Sequence, residues 1–232
     1  MRRPGAARAV GAVLVLAVGL LGGCGGDDVD PAEDRERAEA AVLTLEDLPD
    51  GFVEAEPDED AENDRAEACL EASGQDVTAD EVDEARTAEV TREFDAEQGA
   101  NVQAEISVFD DEDVPAALIE VLGDDEALQC LVDALRDEGL GEDEALTVEG
   151  VAVGEAPAIA GDVGDQRGAA RLEVAIAHSS GQRFEFVSDL YAVRVDRAVA
   201  TLTVTQLSGQ ELAGDDVQAA LGAMATRLAE EG

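Results

Sequence analysis

NVQAEISVF, residues 101–109, alternates apolar and polar side chains from its second residue to its eighth. In an extended chain its valine, alanine and isoleucine side chains point to one side, and its glutamine, glutamate and serine side chains point to the other. Alternation of this length predicts a β-strand with one buried face. The stretch ARTAEVTREF, residues 85–94, shows the same pattern. The polar link between the two stretches favours an antiparallel hairpin.

On both sides of this hairpin, some stretches space their apolar residues as helices do, and others alternate apolar and polar residues as strands do. Apolar residues spaced three and four apart, together with a charged alanine-rich start, predict helices at 31–43, 110–122, 124–138 and 214–231. Further alternation predicts strands at 145–153, 168–178, 183–195 and 198–207, with a turn at Asp196-Arg197. The order of these elements predicts an α+β fold, a twisted antiparallel sheet with helices packed on one face.

The amino terminus predicts an exported protein. Three arginines and no acid lie in the first eight residues, and an apolar stretch follows at 9–23. That stretch is too short to span a bilayer comfortably, since about twenty residues are needed. A basic segment, a short apolar core and small residues before a cleavage point are typical of a secretory signal peptide.

Leu21-Gly22-Gly23-Cys24 resembles the bacterial lipobox, in which an aliphatic residue and two small residues precede a lipidated cysteine. The resemblance implies cleavage before Cys24 and attachment of a diacylglyceryl group to its thiol. That lipid would anchor the protein on the extracytoplasmic face of the bacterial cell membrane. The alternatives are a plain signal peptide with an incidental cysteine and an uncleaved anchor. We therefore expect a signal peptide at 1–23, a lipidated cysteine, acidic tether and leading helix at 24–42, and one folded domain at 43–232.

The charge excludes several classes of partner. The chain has 56 acidic and 15 basic residues, for a formal net charge of −41, and every basic residue is an arginine. So negative a chain repels nucleic acid and anionic membrane surfaces. Cationic ligands are compatible with the negative net charge. The alternative explanation of the acidity is that a dense carboxylate surface keeps a protein soluble at high salt. The absence of lysine beside abundant Ala, Gly, Val and Arg is typical of a GC-rich genome, such as that of a salt-tolerant actinobacterium.

Cys69 and Cys130 are the two cysteines that remain beyond Cys24. Outside the cytoplasm two cysteines usually pair, so we expect a disulfide between them. A pair of free thiols is the alternative. With the single His178 they supply too few strong ligands for a closed zinc site. We expect neither a metal nor a cofactor.

Two further stretches invite a chemical interpretation. His178 lies beside two serines at a predicted turn, but adjacent residues rarely give the geometry of a hydrolase, so we expect a surface turn.

In the stretch 58–64, acidic residues recur at a spacing similar to that of a calcium-binding loop. Its sixth position is Asn63 and its twelfth is Cys69, where an EF-hand needs glycine and glutamate. We expect a solvated loop there.

LTLEDLPDGF, residues 43–52, followed by Cys69, a hairpin, a helix carrying Cys130, a β-meander and a final helix, resembles a known actinobacterial group. These are exported lipoproteins and sensor domains similar to the extracytoplasmic domain of PknH-type serine/threonine kinases. The resemblance implies an α+β domain with a concave cleft and a disulfide that tethers a helix. The chain departs from the group by Phe52 where tryptophan is commoner, by fewer cysteines and by having no kinase domain.

This resemblance predicts a non-enzymatic ligand-binding or sensory lipoprotein. The alternative is a structural lipoprotein that docks a cell-envelope partner, and a hydrolase comes a distant third. The partner would be a small molecule or an envelope protein, in addition to the membrane bound through Cys24. For the pocket we expect apolar walls formed by Phe184, Phe186 and Tyr191.

Overall fold

The computed structural model of the protein describes residues 29–56, 69, 77–96, 99–138, 146–155, 157–161, 163–209 and 212–231. The predicted signal peptide, the lipobox Leu21-Gly22-Gly23-Cys24 and the acidic stretch 58–64 lie outside the described residues, so they stay predictions from sequence. Across the described ranges, no helix is long and apolar enough to span a membrane.

The described part of the chain forms five α-helices and seven β-strands. The helices are α1 (Pro31–Ala41), α2 (Ala79–Ala85), α3 (Asp113–Val121), α4 (Asp125–Glu138) and α5 (Gly214–Glu230). The strands are β1 (Phe52–Ala55), β2 (Arg86–Ala96), β3 (Asn101–Phe109), β4 (Leu146–Gly154), β5 (Gln166–His178), β6 (Arg183–Val195) and β7 (Ala198–Leu207).

The strands form one antiparallel sheet in the order β1-β2-β3-β7-β6-β5-β4. β2 and β3 are the predicted hairpin, in which Phe94 lies opposite Val102 and Val90 opposite Ile106. The predicted turn between β6 and β7 is also present. Asp196 adopts a φ of 57° there, a region that aspartate tolerates better than most residues. The prediction of an α+β fold on an antiparallel sheet is confirmed.

Alternate residues along β6 define the two faces of the sheet. Tyr191, Val193 and Val195 point to one face, which we call the front face, and lie in an apolar cluster with α1 and α5. Leu190 and Ala192 point to the opposite face, which we call the back face, and contact two other clusters. The sheet therefore contributes to cores on both sides.

The front-face core is the larger one. Leu221, Met224 and Leu228 of α5 are fully buried there, in one cluster with Ile106 of β3 and Leu202 of β7. Full burial of a side chain of this size stabilises the fold by roughly 1.5–3 kcal/mol. This packing fixes α5 across the middle strands of the sheet.

Helices also pack on the back face, which corrects the prediction that all helices lie on one face. Val82 of α2 and Val114 of α3 cluster with Phe109, Ala192 and Val199. Val132 of α4 joins a third cluster, whose sheet members are Val151, Leu172, Val174 and Ile176. The prediction failed because most of the back face of β3 is polar. The apolar back-face residues that the helices cover are Phe109, the last residue of β3, and residues of other strands.

The folded domain begins at Pro31, which corrects the predicted start at residue 43. Asp30 caps α1 by accepting a hydrogen bond from the backbone N–H of Ala32 at 2.9 Å. Ala38 and Ala41 are fully buried in the front-face core, so α1 is part of the domain and not part of the tether. The sequence did not predict that α1 packs in the core, because most of its residues are charged and only a narrow stripe of the helix is buried.

Asp34 of α1 is 2% exposed and ties the helix to the end of the sheet. Its carboxylate accepts two hydrogen bonds from Arg197, one of them from Nη1 at 2.8 Å, and one from the hydroxyl of Thr87 at 2.5 Å. Arg197 Nη1 also donates to the backbone oxygen of Phe109 at 2.6 Å. One buried carboxylate thus joins α1, β2 and the β6–β7 turn.

Hydrogen bonds outweigh burial in setting the pKa of Asp34. Burial alone would raise that pKa, but the hydrogen bonds from Arg197 and Thr87, with the charges of Arg197 and Arg37, hold it below its ordinary value. A carboxyl with a lowered folded-state pKa stabilises the fold above the unfolded-state pKa. That contribution is lost as the pH falls through the folded-state value.

Replacing Asp34 with asparagine is expected to lower the free energy of unfolding by about 3 kcal/mol at pH 7, because Arg197 loses its buried counter-charge. The difference from wild type should begin to shrink as the pH falls below the unfolded-state pKa of about 3.9, and it should vanish once the pH has fallen through the lower folded-state pKa, where the wild-type carboxyl is also neutral. Urea denaturation across this pH range measures the difference. Asp50→Asn, at an exposed site, removes the same charge and serves as the control. An equal loss in both variants would contradict the role of the ion pair.

Candidate ligand-binding site

The front-face helices leave one corner of the sheet uncovered. Their apolar cluster draws its buried strand residues from β2, β3, β6 and β7, with Phe52 of β1. At the corner formed by β4, β5 and the start of β6, the surface carries a cleft of about 390 Å³. The cleft is lined by Gly150, Val151, Ala152, Arg171, Glu173, Val174, Ala175, Glu185, Phe186, Val187 and Ser208.

Strand register decides which side chains enter this cleft. Glu173 lies opposite Ala152 on one side and Val187 on the other, and Ala175 lies opposite Glu185. Directly opposed residues share a face, so these five side chains point to the front. The cleft therefore has an apolar floor of alanine and valine, with two glutamates rising from it.

A β-bulge places Gly150 in the lining of the cleft, beside Ala175. The β4–β5 register shifts between Val148 and Gly150, so that Gly150 lies opposite Ala175. A Cβ atom added at Gly150 would meet no atom within 4 Å. Glycine at this position therefore leaves space that any larger side chain would occupy.

An ion pair forms one end of the cleft. Arg171 donates from Nε to one oxygen of Asp189 at 2.6 Å and from Nη2 to the other at 2.7 Å. Asp189 is 3% exposed, so the pair is largely withdrawn from water. A two-point contact of this kind fixes the guanidinium plane and neutralises the cationic side chain of the cleft.

Gly154 lets β4 pass close to these side chains. A Cβ atom there would lie 2.8 Å from Oε1 of Glu173 and 3.0 Å from Cδ of Arg171. The absence of a side chain at Gly154 thus allows Arg171 and Glu173 to lie against the end of the edge strand.

The structure separates the three aromatic residues predicted to line one pocket. Phe184 and Phe186 are neighbours on the back face, with ring centroids 6.3 Å apart. Tyr191 is buried in the front-face core. The parity of their positions on β6 explains the correction, since odd and even residues of a strand point in opposite directions. Phe186 does line the new cleft, and its side chain packs against the back-face cluster of α4.

The predicted disulfide is present. Cys69 and Cys130 are bonded, with a Cα–Cα distance of 5.5 Å and a sequence separation of 61. Cys130 belongs to α4, the helix that covers β4 and β5 from behind. The bond therefore links Cys69 to the helix that packs through Val132 behind the strands that form the cleft.

His178 lies at the β5–β6 turn. Its Nδ1 accepts a hydrogen bond from the backbone N–H of Ser180 at 3.1 Å and is 2.7 Å from the Ser180 hydroxyl. Both contacts close a local turn that ends at Gly181, whose φ is 86°. Serine and histidine therefore meet here as turn residues, as the sequence predicts.

A polar strip covers the back face of β2, β3 and β7, beside the cluster of α2 and α3. Cross-strand pairing places its side chains together: Glu89, Thr91, Glu93, Gln103, Glu105, Ser107, Thr201, Thr203 and Thr205. Burial and the nearby charge of Glu89 raise the pKa of Glu105. A hydrogen bond of 2.9 Å from the Ser107 hydroxyl and the charge of Arg86 only partly offset that rise.

Sequence reasoning missed the cleft residues, although weak signals for them exist. Gly150 interrupts the alternation of LTVEGVAVG and marks the bulge. Glu173 and Glu185 stand at the polar positions of their strands, where a solvated face was expected. Their pattern could identify the face, but no local signal says which part of it the helices leave bare.

No protein-family model matches the chain, and no curated protein matches it in sequence. Among solved structures, the crystal structure of the extracellular domain of PknH from Mycobacterium tuberculosis is similar. The TM-score is 0.43 with 10% sequence identity, over 84% of this chain and 94% of that chain. This similarity is the one that LTLEDLPDGF and the cysteine placement predict.

Removing the disulfide is expected to lower the free energy of unfolding by about 4 kcal/mol, because the loop between the cysteines gains entropy in the unfolded chain. The double variant C69S/C130S and the reduced wild-type protein should show the same urea midpoint. Adding reductant to the double variant is the control and should change nothing. A wild-type midpoint insensitive to reduction would contradict the prediction.

Glu105→Gln is expected to raise the free energy of unfolding at pH 7 by about 0.5–1 kcal/mol, since it removes the like charge beside Glu89. Because the folded-state pKa of Glu105 is raised, its neutral form stabilises the fold. This contribution is fully present below the unfolded-state pKa of about 4.3. That contribution is lost as the pH rises through the folded-state pKa, so the variant should match wild type near pH 4. The exposed variant Glu54→Gln is the control. Equal stabilisation by both would point to net charge alone.

Proposed function

We propose that this chain is an extracytoplasmic lipoprotein whose domain binds a ligand in the front-face cleft and catalyses no reaction. The observation that carries the proposal is the cleft of about 390 Å³ over β4, β5 and β6. Ligand sites in proteins typically measure about 300–1,000 Å³ and combine an apolar lining with a few placed polar groups. This cleft fits the lower end of that range.

The lipid anchor is the second part of the proposal, and it is supported by Leu21-Gly22-Gly23-Cys24. The diacylglyceryl group on Cys24 would hold the domain at the membrane surface. Because α1 begins at Pro31, only a short acidic stretch of sequence separates the lipid from the domain. The ligand would therefore be one that is met close to the membrane.

The polar groups of the cleft support binding more than catalysis. Arg171 is engaged by Asp189, and the other polar side chains are Glu173, Glu185 and Ser208. Among the described residues that line the cleft there is no histidine and no cysteine. Nucleophilic catalysis needs a base beside the nucleophile, and Ser208 has no hydrogen-bonded side chain among the described residues.

A docking role remains the second candidate because β1 and β4, the edge strands of the sheet in the described residues, each expose a valine. Val53 on β1 is 60% exposed, and Val153 on β4 is 43% exposed. An extended segment of an envelope protein could add to either edge by backbone pairing.

Native mass spectrometry of the lipoprotein, extracted in detergent from an actinobacterial host, tests the proposal. We expect the mass of residues 24–232 with a diacylglyceryl group, and a non-covalent small-molecule adduct. Gly150→Leu and Ala152→Leu should lose the adduct, because each places a side chain in the cleft. Val153→Leu, on the opposite face of the same strand, should keep it.

An unlipidated or differently cleaved chain would contradict the anchor. An adduct that survives in both cleft variants would contradict the site. If no small molecule is bound and the same envelope protein is retained by wild type and both cleft variants, the docking role is favoured instead.

A further inference from the structure

We infer that the anchored domain carries its front-face cleft at the end that lies away from the bilayer. The cleft then takes its ligand from the aqueous side of the membrane, so the ligand is a water-soluble molecule and not a membrane lipid. This inference rests on the proposed function, because it requires the lipid on Cys24 and names the ligand class of the same cleft. It follows from the short tether, from the place where α1 is bound to the sheet and from the length of β6.

The first step is the short reach of the chain between the lipid and the domain. Cys24 and Asp30, which caps α1, are six residues apart. A fully extended chain advances at most about 3.5 Å per residue, so Asp30 lies within about 21 Å of Cys24. A domain of about 200 residues has a diameter of about 40 Å. The amino terminus of α1 is therefore held closer to the bilayer than the opposite side of the domain.

The second step is the place where α1 is bound to the sheet. Asp34, about one helical turn into α1, binds Arg197 in the β6–β7 turn and the hydroxyl of Thr87 at the start of β2. Nη1 of Arg37, one turn further on, lies 3.7 Å from Oδ2 of Asp196 in the same turn. We call this end of the sheet, where β2 and β7 begin and β3 and β6 end, the anchored end.

The third step is the position of the cleft along the strands. On β6 the cleft is lined by Glu185 and Val187, whereas this strand reaches the anchored end at Val195. Strands advance about 3.3 Å per residue, so the two lining residues lie about 26–33 Å from that end. Ser208, which also lines the cleft, follows the last residue of β7, a strand that begins at the anchored end. The cleft and the tether are thus at opposite ends of the sheet.

The fourth step is that charge does not turn the domain over onto its cleft. The anchored end is acidic, because residues 110–113 after β3 and 230–231 at the end of α5 are exposed carboxylates. A bilayer with anionic headgroups repels such groups within a Debye length, about 8 Å at physiological salt. The net charge of −41 extends this repulsion to the domain as a whole. The tether alone therefore decides which end stays near the bilayer.

Energy transfer from a fluorophore on the domain to rhodamine-labelled headgroups tests this orientation. The lipoprotein, with its disulfide intact, is labelled at one added cysteine and inserted into vesicles of phosphatidylglycerol that contain the rhodamine lipid. Ala229→Cys places the label at the anchored end, beside Leu228, whose backbone oxygen accepts a hydrogen bond from Arg37. Ser179→Cys places the label at the β5–β6 turn, beyond the cleft. Both sites are exposed, so each variant should keep the wild-type urea midpoint.

We expect strong transfer from the label at Ala229→Cys and severalfold weaker transfer from the label at Ser179→Cys, because the length of β6, about 40 Å, separates the two sites. Insertion of about twenty Gly and Ser residues after Gly26 lengthens the tether and should reduce this difference. Equal transfer from both labels with the natural tether, or stronger transfer from Ser179→Cys, would overturn the inference.

The mass of the bound ligand gives a second readout, which separates this inference from the proposed function. We expect the non-covalent adduct of the extracted lipoprotein to match no phospholipid or acylglycerol of the host membrane. An adduct with the mass of a membrane lipid, lost in Gly150→Leu, would overturn the inference and leave the proposed ligand site standing. If Cys24 carries no diacylglyceryl group, the proposed anchor fails and the inference fails with it.

Discussion

The alternation of side chains along the central strands is the constraint on which the rest of the structure depends. Tyr191 and Val193 of β6 belong to the core under α1 and α5, whereas Ala192 between them belongs to the core under α2 and α3. A strand that is apolar on both sides must be covered on both sides. The helices are therefore divided between two faces, and each residue of β5 or β6 is committed to one face by its parity.

Strand identity could be predicted from the sequence because alternation is a local signal. The β2–β3 hairpin and the β6–β7 turn at Asp196 follow from residues close together in the chain. The sheet order and the helix placement are different, since β3 pairs with β7 across almost a hundred residues of sequence. No local pattern contains that pairing. The prediction of helices on one face failed because the back face carries apolar residues on β4, β5, β6 and β7 that the pattern of β3 does not show. The three-residue aromatic pocket failed for a simpler reason, because Tyr191 has the opposite parity to Phe184 and Phe186.

Long-range ion pairs explain how so acidic a chain keeps its helices in place. Arg197 joins Asp34 of α1, and Arg227 of α5 donates to Asp47 at 2.6 Å and to the backbone oxygen of Val42 at 3.1 Å. Each arginine thus connects two segments that are far apart in the sequence. With 56 acidic and 15 basic residues, most carboxylates must remain exposed to water. Asp34 and Asp189, which are almost fully buried, each bind an arginine. Composition alone could not show which acids these are.

The cleft follows from the relative widths of sheet and helices. Seven strands spaced by about 4.8 Å make a sheet about 30 Å across, whereas two helices about 10 Å wide cover about 20 Å of it. On the front face α1 and α5 pack over the apolar part, and the corner at β4 and β5 stays bare. A bare corner of a sheet can remain soluble only if it carries polar groups, and Arg171, Glu173 and Glu185 supply them. α4 packs through Val132 behind the same strands and carries the disulfide at Cys130, so the corner is backed by a packed core. In the described residues a cleft thus arises from strands that are packed against a helix on one side and not covered by the front-face helices on the other.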